Sequence, residues 1–191
     1  MSAATPLARL SLGALAVVAA FGLYFSDNIR GYYRFKEACA KEGGLRLFEP
    51  IPMDVGWSAD SANDARAAAQ LKHVAFVRFV DKQDGKAYEV RYLKGNPGDD
   101  SSYETTSANL AVPVAYAWHW VSENVPGELR MTRSGVRVVN LATGRIALQW
   151  EQIGYSTFDP NRTLLAAPSG NACHSWAGIW AEENQAKYFR N

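Results

Sequence analysis

The sequence predicts an α+β fold, in which a hydrophobic N-terminal transmembrane helix is followed by one antiparallel β-meander domain with flanking helices. Three observations carry that prediction. Residues 10–25, with Leu10 and Phe25 at the ends, contain no charged side chain. From His73 onward apolar residues recur in short runs of period two, the spacing of strands that show alternate side chains to opposite faces. Tight-turn signals at Asp84-Gly85 and at Leu141-Ala142-Thr143-Gly144-Arg145 separate such runs, as expected where antiparallel neighbours are joined.

The N-terminal segment sets the expected location. A bilayer-spanning helix takes about 20 mostly apolar residues. Residues 6–25 reach that length, with Arg9 near enough to the end to snorkel into headgroups. A buried core helix would show a polar stripe, and none is visible here. The alternative is a cleaved signal peptide, because Val18-Ala19-Ala20 places small residues after a short apolar run. Against cleavage, residues 21–25 continue the apolar run, and Tyr24 and Phe25 suit an interfacial position. The expected organisation is a membrane anchor (or signal peptide) over residues 1–28, a stalk helix over 29–43 and a sheet domain over 44–191. Arg30, Arg34, Lys36 and Lys41 follow the segment and would by charge draw the domain into the cytoplasm. The short N-terminal tail and the cysteine pair favour export, and the expectation is a single-pass inner-membrane protein with its domain in the periplasm.

Residues 29–42 read as helical and meet a stop signal at Gly43-Gly44. Residues 45–48 alternate and suit a first strand, after which Pro50 and Pro52 break the pattern. Ser61 is placed to cap a helix running to Lys72, with Asp64 in its first turn. Strands are expected over 73–80 and 87–93, joined at Asp84-Gly85, with an edge strand over 103–106 after the loop at 96–100. Residues 116–121 form the next strand, with Tyr116, Trp118 and Trp120 on one face; Pro126-Gly127 then turns the chain into strands over 129–131 and 136–139. Beyond the hairpin at 141–145, Ile146, Leu148 and Trp150 share one face and Gln149 and Glu151 the other, the pattern of a half-buried strand. Trp176, Ile179 and Trp180 recur at helical spacing and predict a last helix over 176–189.

Composition narrows the function classes. Of the 191 residues, 48% are hydrophobic and 20% charged, enough for one core behind an anchor. A net charge of +1, with basic residues scattered, gives no field to attract nucleic acid. The sequence lacks a Gly-rich phosphate loop, a Gly-x-Ser-x-Gly elbow and a His-Glu-x-x-His pair, so no cofactor is expected. The segment after Asp81 lacks the bidentate Glu of a calcium loop, since Tyr92 stands there. Two cysteines and three dispersed histidines have no zinc-ligand spacing, so no metal is expected. Glu123, Glu128 and Glu151 are not spaced as an acid pair, and His119 alone reads as a hydrogen-bonded structural residue.

Cys39 and Cys173 are the two cysteines. In an oxidising compartment an isolated pair is most simply a disulfide, here closing a loop of more than a hundred residues, for which loop entropy gives roughly 4 to 5 kcal/mol. The competing reading makes Cys173 and His174 a nucleophile and base, although sequence neighbours rarely point at each other.

Six Trp and nine Tyr exceed what a core of this size needs. Trp57, Tyr116, Trp118, Trp120 and Trp150 are candidates for a groove that stacks on sugars, peptide or a partner protein. The plainer reading makes them a core face and a membrane-interface belt.

Cys39-Ala-Lys-Glu-Gly-Gly-Leu-Arg-Leu-Phe, the hairpin Asn140-Leu-Ala-Thr-Gly-Arg-Ile-Ala-Leu and the late Cys173 together resemble a group of small bacterial envelope proteins of unassigned function. The likeness covers about a fifth of the chain. The chain departs from that group in its long tail after Cys173 and in its tryptophan content. The resemblance implies an envelope location and a Cys39–Cys173 bridge, and no activity. The expected function is a membrane-anchored periplasmic binding or structural module whose partners are the lipid bilayer and another envelope protein. The alternative is a periplasmic hydrolase or thiol enzyme using His119 or Cys173 with His174.

Overall fold

The computed structural model describes residues 6–128, 130–156 and 170–190, apart from the side chains of residues 6–12, 24, 25, 27 and 28. The first element is a single helix, α1 (Pro6–Glu42). Pro6 suits its first position, where a missing N–H costs nothing. The helix stops where the sequence predicts. Gly43 N donates to Cys39 O, and Gly44 has φ +83°, a conformation that side-chain-bearing residues rarely adopt.

Two observations bear on the expected anchor and stalk. The boundary placed between residues 28 and 29 falls inside one continuous helix, because nothing between Ser26 and Arg30 breaks it. Among the described residues no helix is long and apolar enough to cross a membrane. The apolar run leans on Gly13, Ala14, Ala16, Ala19, Ala20 and Gly22, which contribute little transfer free energy each. The side chains of Leu10 and Phe25, the expected ends of the span, lie outside the described residues.

The remaining elements follow in chain order. They are β1 (Gly44–Leu47), β2 (Ile51–Pro52), β3 (Val55–Ala59), α2 (Ala62–Ala69), β4 (Val74–Val80), β5 (Ala87–Tyr92) and β6 (Tyr103–Ser107). Then come β7 (Val114–Asn124), β8 (Met131–Asn140), β9 (Ile146–Ser156), β10 (Gly170–Cys173), a 3-10 turn (Trp176–Trp180), α3 (Glu182–Tyr188) and β11 (Phe189–Arg190). Ser61 caps α2 as predicted, its Oγ accepting from Asp64 N at 3.2 Å.

The sheet runs β1-β9-β8-β7-β3-β4-β5-β6 and is mostly antiparallel, consistent with an α+β fold. It is not a simple meander. β3 lies between β4 and β7 and is parallel to both, with α2 as the crossover to β4. Period-two reasoning missed β3 because a five-residue strand after two prolines shows too little alternation. β8 is one continuous strand where two were expected; Leu129, the start of the first, lies outside the described residues.

β1 pairs with the first half of β9 and β10 with its second half, so both occupy the same edge. A two-residue parallel pair, β2 with β11, fastens the C-terminal segment beside the domain. The expected helix over 176–189 is instead the 3-10 turn and α3, separated at Ala181, whose backbone is extended. Gly178 packs hard against the Trp150 ring, and Trp180 Nε1 donates to Ala67 O at 2.9 Å, contacts that set the path of this turn.

The sheet has two unlike faces. One carries Trp57, Val77, Val90, Tyr116, Trp118, Val136, Val138, Leu148 and Trp150 into the main core under α2 and the C-terminal segment. On the other, the last turns of α1 pack Phe35 against Met131, Ile153 and Tyr155. β9 was expected to be half-buried. It is buried on both faces, Leu148 and Trp150 on one and Gln149 and Glu151 on the other, while Ala147 sits at an irregularity in the pairing with β8 and joins the main core. Glu151 is covered by its ion-pairing partners Arg133 and Arg137, and Gln149 donates to it.

Candidate functional site

The aromatic residues separate into two groups. Trp57, Tyr116, Trp118 and Trp150 are buried. Trp57 has ring centroids 5.9 Å from Tyr116 and 6.3 Å from Trp118, so these side chains are core and not a groove lining. Burial, and then the Glu49 carboxylate, push the Tyr116 phenol up from its ordinary pKa. Among the described residues the indole N–H groups of Trp57, Trp118 and Trp150 have no acceptor, so their contribution is apolar area.

Trp120 differs. It lies two residues beyond Trp118 on the same face of β7, yet 46% of it is exposed. Its ring stacks on Trp176 of the 3-10 turn, with centroids 4.3 Å apart and planes 27° apart. The pairing register places Trp120 in a row with Val136 and Trp150. The next row outward on that face is Ser122, Ser134 and Gln152, and the one beyond it Asn124, Thr132 and Gly154. Ser122, Asn124 and Thr132 are exposed and Ser134 and Gln152 are half-buried. The core therefore ends at the Trp120 row, and the two rows beyond it on these three strands carry no charged side chain.

Sequence reasoning placed Trp120 on this face but stopped the strand at Val121 and assigned Trp176 to a helix. Extending the alternation two positions past Trp120 would have found Ser122. Gln152 and Ser134 follow only from the register.

The opposite face is charged. Arg133 and Arg137 of β8 lie between Glu123 of β7 and Glu151 of β9. Arg137 Nη2 is 3.3 Å from Glu123 Oε1 and 3.4 Å from Glu151 Oε1. Arg133 Nε is 3.1 Å from Glu151 Oε2, in ion-pair range but off the line of a hydrogen bond. Arg133 also pairs with Glu42 at the end of α1. Glu123 and Glu151, which sequence spacing does not pair, thus meet across β8. Each is engaged by guanidinium groups, which suits holding α1 to the sheet more than proton transfer. Arg34 Nε reaches Glu128 at 2.6 Å and adds a further clamp on α1.

The cysteines are joined. Cys39 of α1 and Cys173 of β10 form a disulfide with Cα atoms 6.0 Å apart, across 134 residues of sequence. Cys173 is therefore no free nucleophile. His174 has φ +60° and packs its ring against Gly43 and Gly44, filling the gap where β1 and β10 meet end to end along β9. His119 faces away from its tryptophan neighbours, as expected for a strand, and its Nδ1 lies 2.8 Å from Asp60 Oδ2. Asp60 drew no notice in the sequence because its partner is 59 positions away.

Among the described residues no group of three or more His, Cys, Asp or Glu side chains could hold a metal ion. A cleft of about 310 Å³ lies at the start of α2, lined by residues including Ser61, Asn63, Asp81 and Lys82. Ser61 and Asp64 already occupy the helix end with each other, Ser61 Oγ donating to Asp64 Oδ2 at 2.6 Å. Compared with family models, curated proteins and solved structures, the chain matches none.

Proposed function

We propose that the protein is a membrane-anchored module of the bacterial envelope that binds or scaffolds, with its sheet domain in the periplasm. The observation that carries this reading is the outer part of α1. Leu15, Val17, Val18 and Leu23 are all exposed. At about 3.6 residues per turn their positions fall around the whole circumference of the helix. A stripe would suit docking on one protein surface, whereas apolar side chains on every side suit immersion in lipid. The uncharged stretch of residues 10–25, read from the sequence, extends the same character. The disulfide supports an oxidising compartment. The clamped lower half of α1 would hold the domain at a fixed attitude to the membrane.

Membranes from bacterial cells expressing the chain should retain it through alkaline carbonate washing. In intact cells neither cysteine should react with a thiol reagent until a reductant is added. Release by carbonate, or immediate labelling of both thiols, would overturn the reading.

A periplasmic hydrolase is the second reading, favoured by one contact. The Asp60 carboxylate holds His119 Nδ1 as an orienting acid holds a general base. If His119 is such a base, His119→Ala abolishes turnover of ester or amide substrates by the purified protein. Absence of any turnover in the parent protein would exclude it.

A further inference from the structure

We infer that the outer end of the β7–β8–β9 face is a binding site for an uncharged oligosaccharide, with Trp120 as its stacking residue. This deepens the binding-module reading and rests on it. Trp118 and Trp120 share a face, so the exposure of Trp120 marks where the protein stops covering its aromatic side chains. Trp176 takes one side of the Trp120 ring, and the exposed remainder is presented in a fixed orientation. An indole immobilised in this way binds a flat apolar surface with little further loss of freedom.

The adjoining rows supply the polar half of the recognition. Ser122, Ser134 and Gln152, then Asn124 and Thr132, offer hydroxyl and amide groups and no charge. Strand spacing makes the surface about 10 Å wide across three strands, with about 7 Å between rows, a footprint for one or two pyranose rings. Gly154 leaves the end of the outer row open beside Thr132 Oγ1, since a Cβ there would lie only 2.8 Å from that hydroxyl. Pyranoses with equatorial substituents have an apolar face of C–H groups and a rim of hydroxyls, matching an indole beside hydroxyl and amide side chains.

Other occupants fit less well. A nucleic acid needs cations, and the charged residues of β7, β8 and β9 that pair as Arg133, Arg137, Glu123 and Glu151 point to the opposite face. An extended peptide would have to add along the one free edge of β7 past Trp118, beside the polar rows and not across them, since β8 is paired on both sides.

The test is calorimetric titration of the full chain, purified in a sugar-free zwitterionic detergent, with cellotetraose and with chitotetraose. At least one should bind saturably. Trp120→Ala should weaken binding about tenfold, and Trp120→Phe less than that. Gln152→Ala should weaken it while the unfolding temperature stays unchanged, which keeps the test valid if loss of Trp120 disturbs folding. No saturable binding of either tetrasaccharide, or binding untouched by both Trp120→Ala and Gln152→Ala, would overturn the site. Carbonate release of the protein sinks the anchor and leaves the titration intact, so the two failures are distinguishable.

Discussion

Arg78 of β4 and Glu89 of β5 form a buried ion pair, Nη2 to Oε1 at 2.7 Å, and together they hold the loop that leads from β6 to β7. Arg78 Nη2 also donates to Asn109 O at 2.7 Å and to Val112 O at 2.9 Å, while Glu89 Oε1 accepts from Asn109 N at 3.1 Å. The two side chains are 13% and 6% exposed. Their value lies in mutual satisfaction, because either charge alone would be left desolvated and unpaired.

Removing one partner should therefore cost more than removing both. Arg78→Met alone is expected to lower stability by about 3–5 kcal/mol. Combining it with Glu89→Leu should recover part of that loss. Urea denaturation of the two variants checks it, and an unchanged midpoint for Arg78→Met would show that the pair contributes nothing.

The disulfide gives a second expectation. Cys39 and Cys173 close a loop spanning 134 positions, and chain entropy alone sets an upper figure of about 5 kcal/mol for it. Cys39→Ser with Cys173→Ser should thus unfold at markedly lower urea concentration than the oxidised protein. The reduced parent chain should match the double variant. The loss should be felt first where β10 leaves β9, since Cys173 is the last residue of β10 and its pairing partner is Ile153.

Much of this architecture is legible in the sequence, for local reasons. Gly43-Gly44, Ser61, Gly85, Pro126-Gly127 and Gly144 punctuate the chain where it turns, because their preferences act within a few residues. The insertion of β3 between β4 and β7 is not local. It is set by Trp57 packing beside Tyr116 and Trp118, partners about 60 residues away. The same applies to the site. Alternation puts Trp118 and Trp120 on one face, but only the end of the covering C-terminal segment at Trp176 makes one of them core and leaves the other half in water. Periodicity also read β9 as half-buried, whereas Arg133 and Arg137 pair with Glu151 on its polar side and Gln149 donates to the same carboxylate.

Alkaline pH should destabilise the domain through its buried phenols. Tyr188 is fully buried and donates to Ile179 O at 2.9 Å, and burial pushes its pKa well above the ordinary value. Tyr103 and Tyr116 are shifted the same way, by burial first. An acid whose folded pKa is raised contributes fully below its unfolded pKa, about 10 for tyrosine, and loses that contribution as pH rises beyond it. Stability should fall above about pH 10. Tyr188→Phe should flatten the alkaline fall while costing about 1–2 kcal/mol at neutral pH, where Ile179 O is left without its donor. Chemical denaturation at neutral pH and at intervals above pH 10 reads both effects.

Trp118 and Trp120 are separated by one residue and share a face, so their alanine variants measure directly where core gives way to site. Trp118 is fully buried against Trp57, and Trp118→Ala should cost about 3–5 kcal/mol by leaving a cavity. Trp120→Ala forfeits partial burial and the stack on Trp176, a ring pair worth about 0.5–1.5 kcal/mol beyond its area. It should leave a cooperatively folded protein. Equilibrium unfolding of the two variants under one condition gives the comparison. If Trp120→Ala proves as damaging as Trp118→Ala, the indole is a core residue and its exposed position has no bearing on recognition. A small loss for Trp120 beside a large one for Trp118 means that the protein holds a tryptophan at its surface at little benefit to its own stability, as a recognition residue would be held.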